Sequence, residues 1–320
     1  MKIGENLTHT KIKWILSIVI IMWGSNFVLT KILVEQFPFW SLLFFRNLFA
    51  TIALIWFIRK SPFILPRNKR AWGYILGASL LGVVINNAIF LIGLKYSLPT
   101  NAALIMGLTP LVTALMSFLV FSIPLSWKQI LGISLGFFGV TLVVLKGSLT
   151  NLIHLSFSIG DFYIVIALLT FSISFIFIKK AIDINVSPEI ISFYLFGIST
   201  ICYFPLSFWE LTIEGWSQMP TSIIPWLLLL YLGAFPLGVG NMLWNRGISV
   251  LGPSQSAIFM NGIPLVTAIA SLLILDEPIL VLQIIGFLFI GSGVFLGSQN
   301  SKPAAVAVIK DEKKTSSTTM

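Results

Sequence analysis

Long apolar stretches follow one another along almost the whole chain and are separated by polar connections. A helix needs about 20 consecutive apolar residues to cross a bilayer. Runs of this length are too long for buried strands, so they predict membrane-spanning helices. Ten spans are predicted, at 12–33, 38–58, 72–94, 99–121, 127–145, 159–179, 188–209, 223–246, 252–274 and 279–297.

The connections between these spans are short except for 59–71, 146–158 and 210–222. The segment 298–320 departs from the apolar pattern because it is polar and ends in KDEKKTSSTTM. A composition of this kind cannot bury enough apolar surface to fold. We therefore expect 298–320 to be a disordered cytoplasmic tail.

The composition supports an all-α integral membrane protein. Hydrophobic residues make up 57% of the chain and charged residues only 10%, whereas soluble domains carry about 25% charged residues. Cys202 is the single cysteine and the two histidines lie outside the predicted spans. Neither a disulfide framework nor a Cys/His metal centre is predicted, and no cofactor is expected.

The distribution of lysine and arginine predicts the orientation of the chain. Ten spans place both termini on the same side, and cytoplasmic loops carry an excess of Lys and Arg. Sixteen of these residues fall on the side that carries the termini and only three on the opposite side (Lys31, Lys95 and Lys146), while Arg46 lies within a span. Both termini are therefore predicted to be cytoplasmic, and the net charge of +9 is assigned to anionic lipid headgroups rather than to nucleic acid. The sixteen residues on the side of the termini are Lys2, Lys11, Lys13, Arg59, Lys60, Arg67, Lys69, Arg70, Lys128, Lys179, Lys180, Arg246, Lys302, Lys310, Lys313 and Lys314.

An internal repeat relates the two halves of the chain. The pentapeptide PLVTA occurs at 110–114 and again at 264–268, an offset of 154 residues. Apolar composition alone would not select matched Trp, Asn, Pro and Gln residues. The sequence therefore predicts a duplication, with repeats at 1–150 and 151–297. The same offset pairs Trp72 with Trp226, Asn87 with Asn241, Pro99 with Pro253 and Gln129 with Gln283.

Each predicted repeat holds five spans, which is an odd number. The second repeat must then enter the membrane from the side opposite to the first, so the repeats are inverted. Inverted repeats are typical of secondary transporters, whose substrate site lies near the midplane between the halves. Alternating access follows, because each half can adopt the conformation of the other.

Three motifs resemble the drug/metabolite transporter superfamily, and specifically its ten-span EamA-type members. They are Trp23-Gly24-Ser25-Asn26-Phe27, Arg46, and the AAL…TPLVTAL…GVTLV run over 102–144. The resemblance covers about residues 12–297. It implies export or facilitated movement of amino acids and related small metabolites, and we expect a bacterial inner membrane location. Where the family usually has an acid after the fourth span, this chain has Ser122-Ile123-Pro124, and only the second repeat keeps Asp276-Glu277-Pro278.

Arg46 and Asn26 are the first candidates for substrate binding. A charged residue within a span usually faces a cavity or a partner, and a guanidinium binds carboxylate or phosphate through two hydrogen bonds. Alternatively, Arg46 extends to the outer interface or caps a neighbouring helix. Asn26 lies mid-span, and its amide offers both donors and an acceptor to a polar ligand.

Asn87 and Asn241 occupy equivalent positions in the two repeats, so structural hydrogen bonding between helices is favoured over substrate contact for this pair. Trp23 and Tyr194 are candidate walls of a cavity. Trp23 is mid-span, where an interfacial aromatic belt does not explain it. Trp244 lies near Arg246 at a predicted cytoplasmic end, where such a belt does explain it.

Pro110 and Pro264, the prolines of the two PLVTA copies, are predicted to act as hinges or gates in spans four and nine. A proline removes one helical hydrogen bond, and static curvature is an equally good interpretation. Small residues in spans five and ten predict close helix packing within the fold, with a homodimer interface as the alternative. They are Gly132, Gly136, Gly139, Gly286, Gly293 and Gly297.

A secondary transporter that exports small metabolites, above all amino acids or related zwitterions, is the leading hypothesis. None of the acidic residues lies in the middle of a predicted span, which disfavours proton-coupled exchange of cations. Transport of nucleotide sugars, sugar phosphates or drugs is the alternative within the same superfamily. A membrane-embedded enzyme is disfavoured, because no nucleophile–base pair or paired carboxylates occur in the spans.

Overall fold

The structure is a computed structural model that describes residues 9–59, 66, 68–96, 105–122, 125–144, 158–275 and 281–297. Within these ranges the chain is almost entirely helical and has no strand. The α-helices are α1 (His9–Val34), α2 (Phe39–Ile58), α3 (Lys69–Ser79), α4 (Asn86–Tyr96), α5 (Thr109–Phe121), α6 (Trp127–Val144), α7 (Ile159–Asp183), α8 (Pro188–Glu214), α9 (Ile223–Leu232), α10 (Gly240–Leu251), α11 (Pro253–Ile258), α12 (Ile263–Leu275) and α13 (Val281–Gly297).

Each of the ten predicted spans contains a helix in the described residues. Seven helical stretches are long and apolar enough to cross a membrane, and shorter apolar helices occupy spans four, five and ten. Large apolar side chains such as Ile201 and Leu273 are about three-quarters exposed, as expected for a surface that lipid covers. The fold is therefore an all-α protein with ten membrane helices. The side on which the termini lie stays a prediction, and 298–320 lies outside the described residues.

Local signals explain where several helices begin. Ser158 accepts the backbone N–H of Asp161 while the Asp161 carboxylate accepts that of Ser158, so a capping box starts α7. The hydroxyl of Ser187 caps α8, whose first residue is Pro188. The capping box also explains why the carboxylate of Asp161 tolerates burial at the start of a membrane helix.

One π-helical segment interrupts the third span of each half. The first, π1 (Leu80–Ile85), joins α3 to α4, and the second, π2 (Gly233–Val239), joins α9 to α10. Shifting π1 by the repeat offset of 154 places it on residues 234–239, inside π2. Because π-helices are rare and cluster at functional sites, their equivalent placement marks them as a feature of the repeat.

The two halves of the chain are interleaved. Helix α1 packs on α10 and α12 of the C-terminal half, and α7 packs on α3 and α4 of the N-terminal half. The second spans of the two halves meet as α2 and α8, and the fifth spans meet as α6 and α13. A site between the halves is therefore bounded by helices of both repeats.

The glycine faces of spans five and ten lie against each other within the chain. A Cβ added at Gly132 would lie 2.6 Å from the carbonyl oxygen of Gly293, and one added at Gly139 would lie 2.5 Å from that of Gly286. The prediction of close packing within the fold agrees with this contact. Since α6 and α13 cover each other's glycines, these contacts do not favour a homodimer interface there, and a homodimer stays a prediction.

Candidate functional site

Arg46 and Asn26 meet inside the helix bundle. The guanidinium of Arg46 is 9% exposed, and its Nη2 donates to Oδ1 of Asn26 at 3.3 Å. The Arg46 Nε atom is buried and has no hydrogen-bond partner. Within the described residues, the two ion pairs are Lys179–Asp183 and Arg246–Glu189, and neither involves Arg46. A buried cation with an unused donor is costly, so this pair is a candidate anion-binding group.

Trp23 lies one helical turn before Asn26 on α1. Its indole Nε1 donates to the backbone oxygen of Pro236 in π2 at 2.9 Å. Its ring centroid lies 4.9 Å from that of Trp244, which in turn lies 5.8 Å from that of Phe175. These three rings form a continuous contact from α1 through α10 to α7.

The interpretation of Trp244 as part of an interfacial belt is wrong. The side chain is completely buried, and its indole Nε1 has no hydrogen-bond partner. Its sequence position near Arg246 suggested an interface, but α10 turns this face toward α1 and α7. Burial of an indole donor without a partner is unusual, which makes Trp244 a candidate site residue.

Asn241 borders a narrow cavity between the two halves. The lining also includes Gly82 and Val83 of π1 and Ser174 and Phe175 of α7. The cavity has room for about one water molecule. A ligand larger than water therefore requires the surrounding helices to move apart.

Asn245 is a buried polar residue that the sequence analysis missed. Its Nδ2 donates to Oγ of Ser192 at 2.8 Å and to Oδ1 of Asn241 at 3.3 Å. Its own Oδ1 is buried without a partner. The available signal was the spacing of four residues from Asn241, which places both amides on one helix face. Asn241 thus belongs to a polar group and does not bond its repeat mate Asn87.

Asn87 and Tyr194 are not brought to this group. The neighbouring Asn86 is the buried amide of the pair and donates to the backbone oxygen of Ala167 at 2.8 Å. Tyr194 packs edge-on against Trp72, with ring centroids 4.7 Å apart. Their assignment as substrate contacts stays a prediction that these contacts do not favour.

Pro110 and Pro264 each follow an interruption in their span. Pro110 lies in the first turn of α5, after a turn at residues 107–108. Pro264 is the second residue of α12, after the 3₁₀ segment Phe259–Gly262. The carbonyl oxygen of Met106, which loses its helical partner at Pro110, accepts the hydroxyl of Thr109 at 2.5 Å. The hinge role of both prolines stays a prediction.

Glu210 is a buried acid that the sequence analysis placed in a connection. Helix α8 continues beyond the predicted span to Glu214, and Glu210 is 6% exposed. Its carboxylate accepts the backbone N–H groups of Trp40 and Ser41 at 3.0 and 2.8 Å and the Ser41 hydroxyl at 2.9 Å. The charge is therefore used to cap the N-terminus of α2, the helix that carries Arg46.

The described residues contain no group of three His, Cys, Asp or Glu side chains that could hold a metal ion. What this part of the chain offers is a buried guanidinium, amide groups and aromatic rings. Such a set binds polar solutes by hydrogen bonds and ring contacts.

Glu35 and Glu214 line a separate depression near the predicted outer ends of α1 and α8.

Comparison with protein families matches residues 11–145 and residues 158–299, each to the EamA-like transporter family. The two matches together cover nearly all of the chain and correspond to the two five-span halves. The comparison therefore describes the same duplication that the offset of 154 residues reveals.

Similar proteins are named as transporters. The chain is 31% identical over 281 residues to "Uncharacterized transporter YyaM" of Bacillus subtilis, covering 86% of this chain and 89% of that protein. It is 25% identical over 285 residues to a "Probable amino-acid metabolite efflux pump" of Escherichia coli, covering 87% and 92%. A solved crystal structure superposes with a TM-score of 0.73 at 17% identity, over 90% of this chain and 98% of that one. That likeness supports the fold alone.

Proposed function

Because the chain belongs to the EamA-like transporter family, we propose that it exports amino acids or related zwitterions by alternating access. Family membership makes it a multi-pass transporter of the cell membrane that acts on a small molecule. The class of substrate, the direction and the mechanism are the proposed parts. The names of the Escherichia coli and Salmonella typhimurium relatives, both probable amino-acid metabolite efflux pumps, support the substrate class.

The unused donor of Arg46 is the observation that carries this proposal. A guanidinium presents several N–H donors in a planar fork, and Asn26 occupies one nitrogen at the long distance of 3.3 Å. A substrate carboxylate on Nε and a neighbouring nitrogen would neutralise the buried charge. Binding would then replace the cost of an unpaired cation by two charge-assisted hydrogen bonds.

The amide group around Asn245 offers a separate contact for an ammonium group. The Oδ1 atom of Asn245 has no partner, and the Oδ1 atom of Asn241 accepts one hydrogen bond although it has two lone pairs. An ammonium group donates three hydrogen bonds and accepts none. The two amide oxygens suit such a donor when the cavity beside Asn241 widens.

A sugar-phosphate or nucleotide-sugar substrate is the alternative. Two or more negative charges call for more than one cation in the cavity. Among the basic side chains whose burial the structure describes, which leave out Lys31 and Lys95, Arg46 is the only buried one. A substrate with a single carboxylate is therefore favoured.

Counterflow in proteoliposomes tests the proposal. Vesicles containing the purified protein are loaded with one amino acid at a time, at neutral pH without an ion gradient, and exchange of labelled amino acid is followed. We expect at least one amino acid to exchange. Glu210 is engaged as a helix cap, so exchange should not require a pH gradient.

Two variants link the exchange to the site. Arg46→Ala should abolish counterflow while the protein remains monodisperse, because the carboxylate loses its partner. Arg70→Ala removes an exposed arginine at the start of α3 and should leave counterflow unchanged. Exchange of a sugar phosphate but of no amino acid would instead favour the alternative.

A further inference from the structure

The two π segments each accept a hydrogen bond from an aromatic side chain of the opposite half. Trp23 of the N-terminal half donates to Pro236 in π2 at 2.9 Å. Tyr203 of the C-terminal half donates from its hydroxyl to the backbone oxygens of Val84 and Val83 in π1, at 2.8 and 3.3 Å. Both donors therefore link the halves at the equivalent π segments, Trp23 from the first span of its half and Tyr203 from the second span of its half.

The side chains of both donors are packed inside the protein, and each donor lies far from its acceptor in the sequence. Tyr203 is completely buried in α8, and Trp23 packs on the buried ring of Trp244. A π segment disturbs the regular hydrogen-bond ladder of a helix, so its carbonyl groups are open to side-chain donors. The wide turn and its aromatic donor thus support each other.

The π segments lie directly against the candidate site. A Cβ added at Gly233, the first residue of π2, would lie 2.7 Å from the backbone oxygen of Arg46. On the other side, Gly82 and Val83 of π1 line the narrow cavity beside Asn241. Movement in π2 is therefore transmitted to Arg46, and movement in π1 changes the cavity.

Conversion of a π segment to a regular α-helix would turn everything beyond it. A shift of one residue rotates an α-helix by roughly 100° and moves it by about 1.5 Å along its axis. The residues that follow the segments are Asn86 and Asn87 after π1, and Gly240 and Asn241 after π2. Such a rotation after π2 would turn Asn241 away from the cavity that it borders.

We propose that Trp23 and Tyr203 are positioning residues that hold π2 and π1 in the wide-turn form, and that release of each opens the cavity toward a different side of the membrane. Both bonds are present together in this structure. Because the repeats are predicted to be inverted, bonds to the equivalent π segments act on opposite faces. This inference rests on the proposed alternating access and goes beyond it by naming the contacts that close each side.

Accessibility of a cavity cysteine tests the proposal without any substrate. Cys202→Ser removes the native thiol, and Ser174→Cys or Ala78→Cys places a reporter in the cavity lining. An impermeant maleimide is applied to intact cells and, separately, to inside-out vesicles. Trp23→Phe and Tyr203→Phe should each raise the labelling rate from one side and lower it from the other, in opposite senses. We expect roughly two- to tenfold changes, the shift in population that one net hydrogen bond supports.

We call the hydrogen bonds from Trp23 to π2 and from Tyr203 to π1 the latches. Further variants distinguish the loss of a latch from a general loosening of the fold. Trp226→Phe removes an indole bond of 3.0 Å to Pro220 outside the π segments, and it should not change labelling from either side. Pro236→Ala returns a backbone N–H to π2 and should shift labelling in the same sense as Trp23→Phe. These two variants test the Trp23–π2 bond independently even if Tyr203→Phe does not fold: no shift from Pro236→Ala, or a shift from Trp226→Phe, would overturn it.

Equal shifts in the same direction, or none in folded variants, would overturn the latch proposal. If counterflow succeeds and labelling does not respond, the latches are wrong and the proposed function stands. If labelling shifts in opposite senses and no amino acid exchanges, the latches stand and the substrate class is wrong.

Discussion

The helix pairs α2–α8 and α6–α13 both join equivalent spans of the two halves, but their contacts differ in kind. Between α2 and α8 the contacts are polar and buried: Glu210 binds Ser41 and Trp40, and Ser199 donates to Asn47 Oδ1 at 2.7 Å. Between α6 and α13 glycines bring the two backbones into direct contact. We refer to these as the polar pair and the glycine pair.

Lipid explains why both pairs use more than ring contacts such as Phe44–Phe204 and Phe138–Phe289. In a bilayer the tails are as apolar as leucine, so helices associate through close packing and hydrogen bonds. The glycine pair uses close packing and leaves little freedom to move. The polar pair uses side-chain bonds that fix the register of α2, and α2 carries Arg46. The difference suggests that the glycine pair holds the fold while the polar pair positions the site.

The largest effect is expected in the glycine pair, from Gly139→Ala. The new Cβ would lie 2.5 Å from the carbonyl oxygen of Gly286 and 2.8 Å from the backbone nitrogen of Ile290. Backbone atoms cannot rotate away as a side chain can. Overpacking typically costs about 1–3 kcal/mol, and we expect a cost near the upper end, measured as a lower melting temperature in detergent.

Gly291→Ala is the matched control, since a Cβ at Gly291 meets nothing within 4 Å. It lies in the same helix as Gly293 and should melt like the unchanged protein. Equal melting temperatures for Gly139→Ala and Gly291→Ala would mean that α6 and α13 are free to move apart. The glycine pair would then be no more rigid than the polar pair.

A smaller effect is expected in the polar pair, from Glu210→Gln. The amide keeps the shape of the side chain but offers one acceptor oxygen and points an N–H₂ group at the N-terminus of α2. Leaving a buried donor unsatisfied costs about 1–3 kcal/mol. We expect a lower melting temperature together with a weaker counterflow, because α2 positions Arg46.

Glu214→Gln is the control on the same helix, because Glu214 is exposed. It should change neither quantity. A Glu210→Gln variant that loses stability but exchanges substrate at the full rate would show that the cap of α2 does not position Arg46. The polar pair would then, like the glycine pair, stabilise the fold without positioning the site.

The spans and the duplication were predictable from the sequence because lipid imposes a minimum apolar length, and a repeat leaves matched residues such as Asn87 and Asn241. The meeting of Arg46 with Asn26 could not be derived, because it depends on how α1 and α2 pack. The burial of Trp244 and Glu210 was missed for the same reason. Each lies near a predicted span end, where composition favours an interface. Their partners come from distant helices, as with Trp40 and Ser41 at Glu210.

The π segments were not visible in the sequence either. A π turn needs one more residue than an α turn, and residues 80–85 read as ordinary apolar helix. Only Pro236 marks an irregularity within π2. The repeat places the two segments in register, so once one is known from the structure the offset of 154 residues locates the other.

The smallest effect is expected where both polar partners also have local bonds, between Ser199 and Asn47. Ser199 Oγ also contacts the backbone oxygen of Phe196 at 2.9 Å, and Asn47 Nδ2 donates to that of Leu43 at 2.7 Å. Loss of the bond between the helices therefore leaves neither side chain without a partner. A double-mutant cycle of Ser199→Ala and Asn47→Ala should give a coupling energy of about 0.6 kcal/mol, the average for such bonds in membrane proteins. Coupling well above that value would mean that this bond stabilises the α2–α8 contact as well as setting its register, and the polar pair would then share the structural role assigned to the glycine pair.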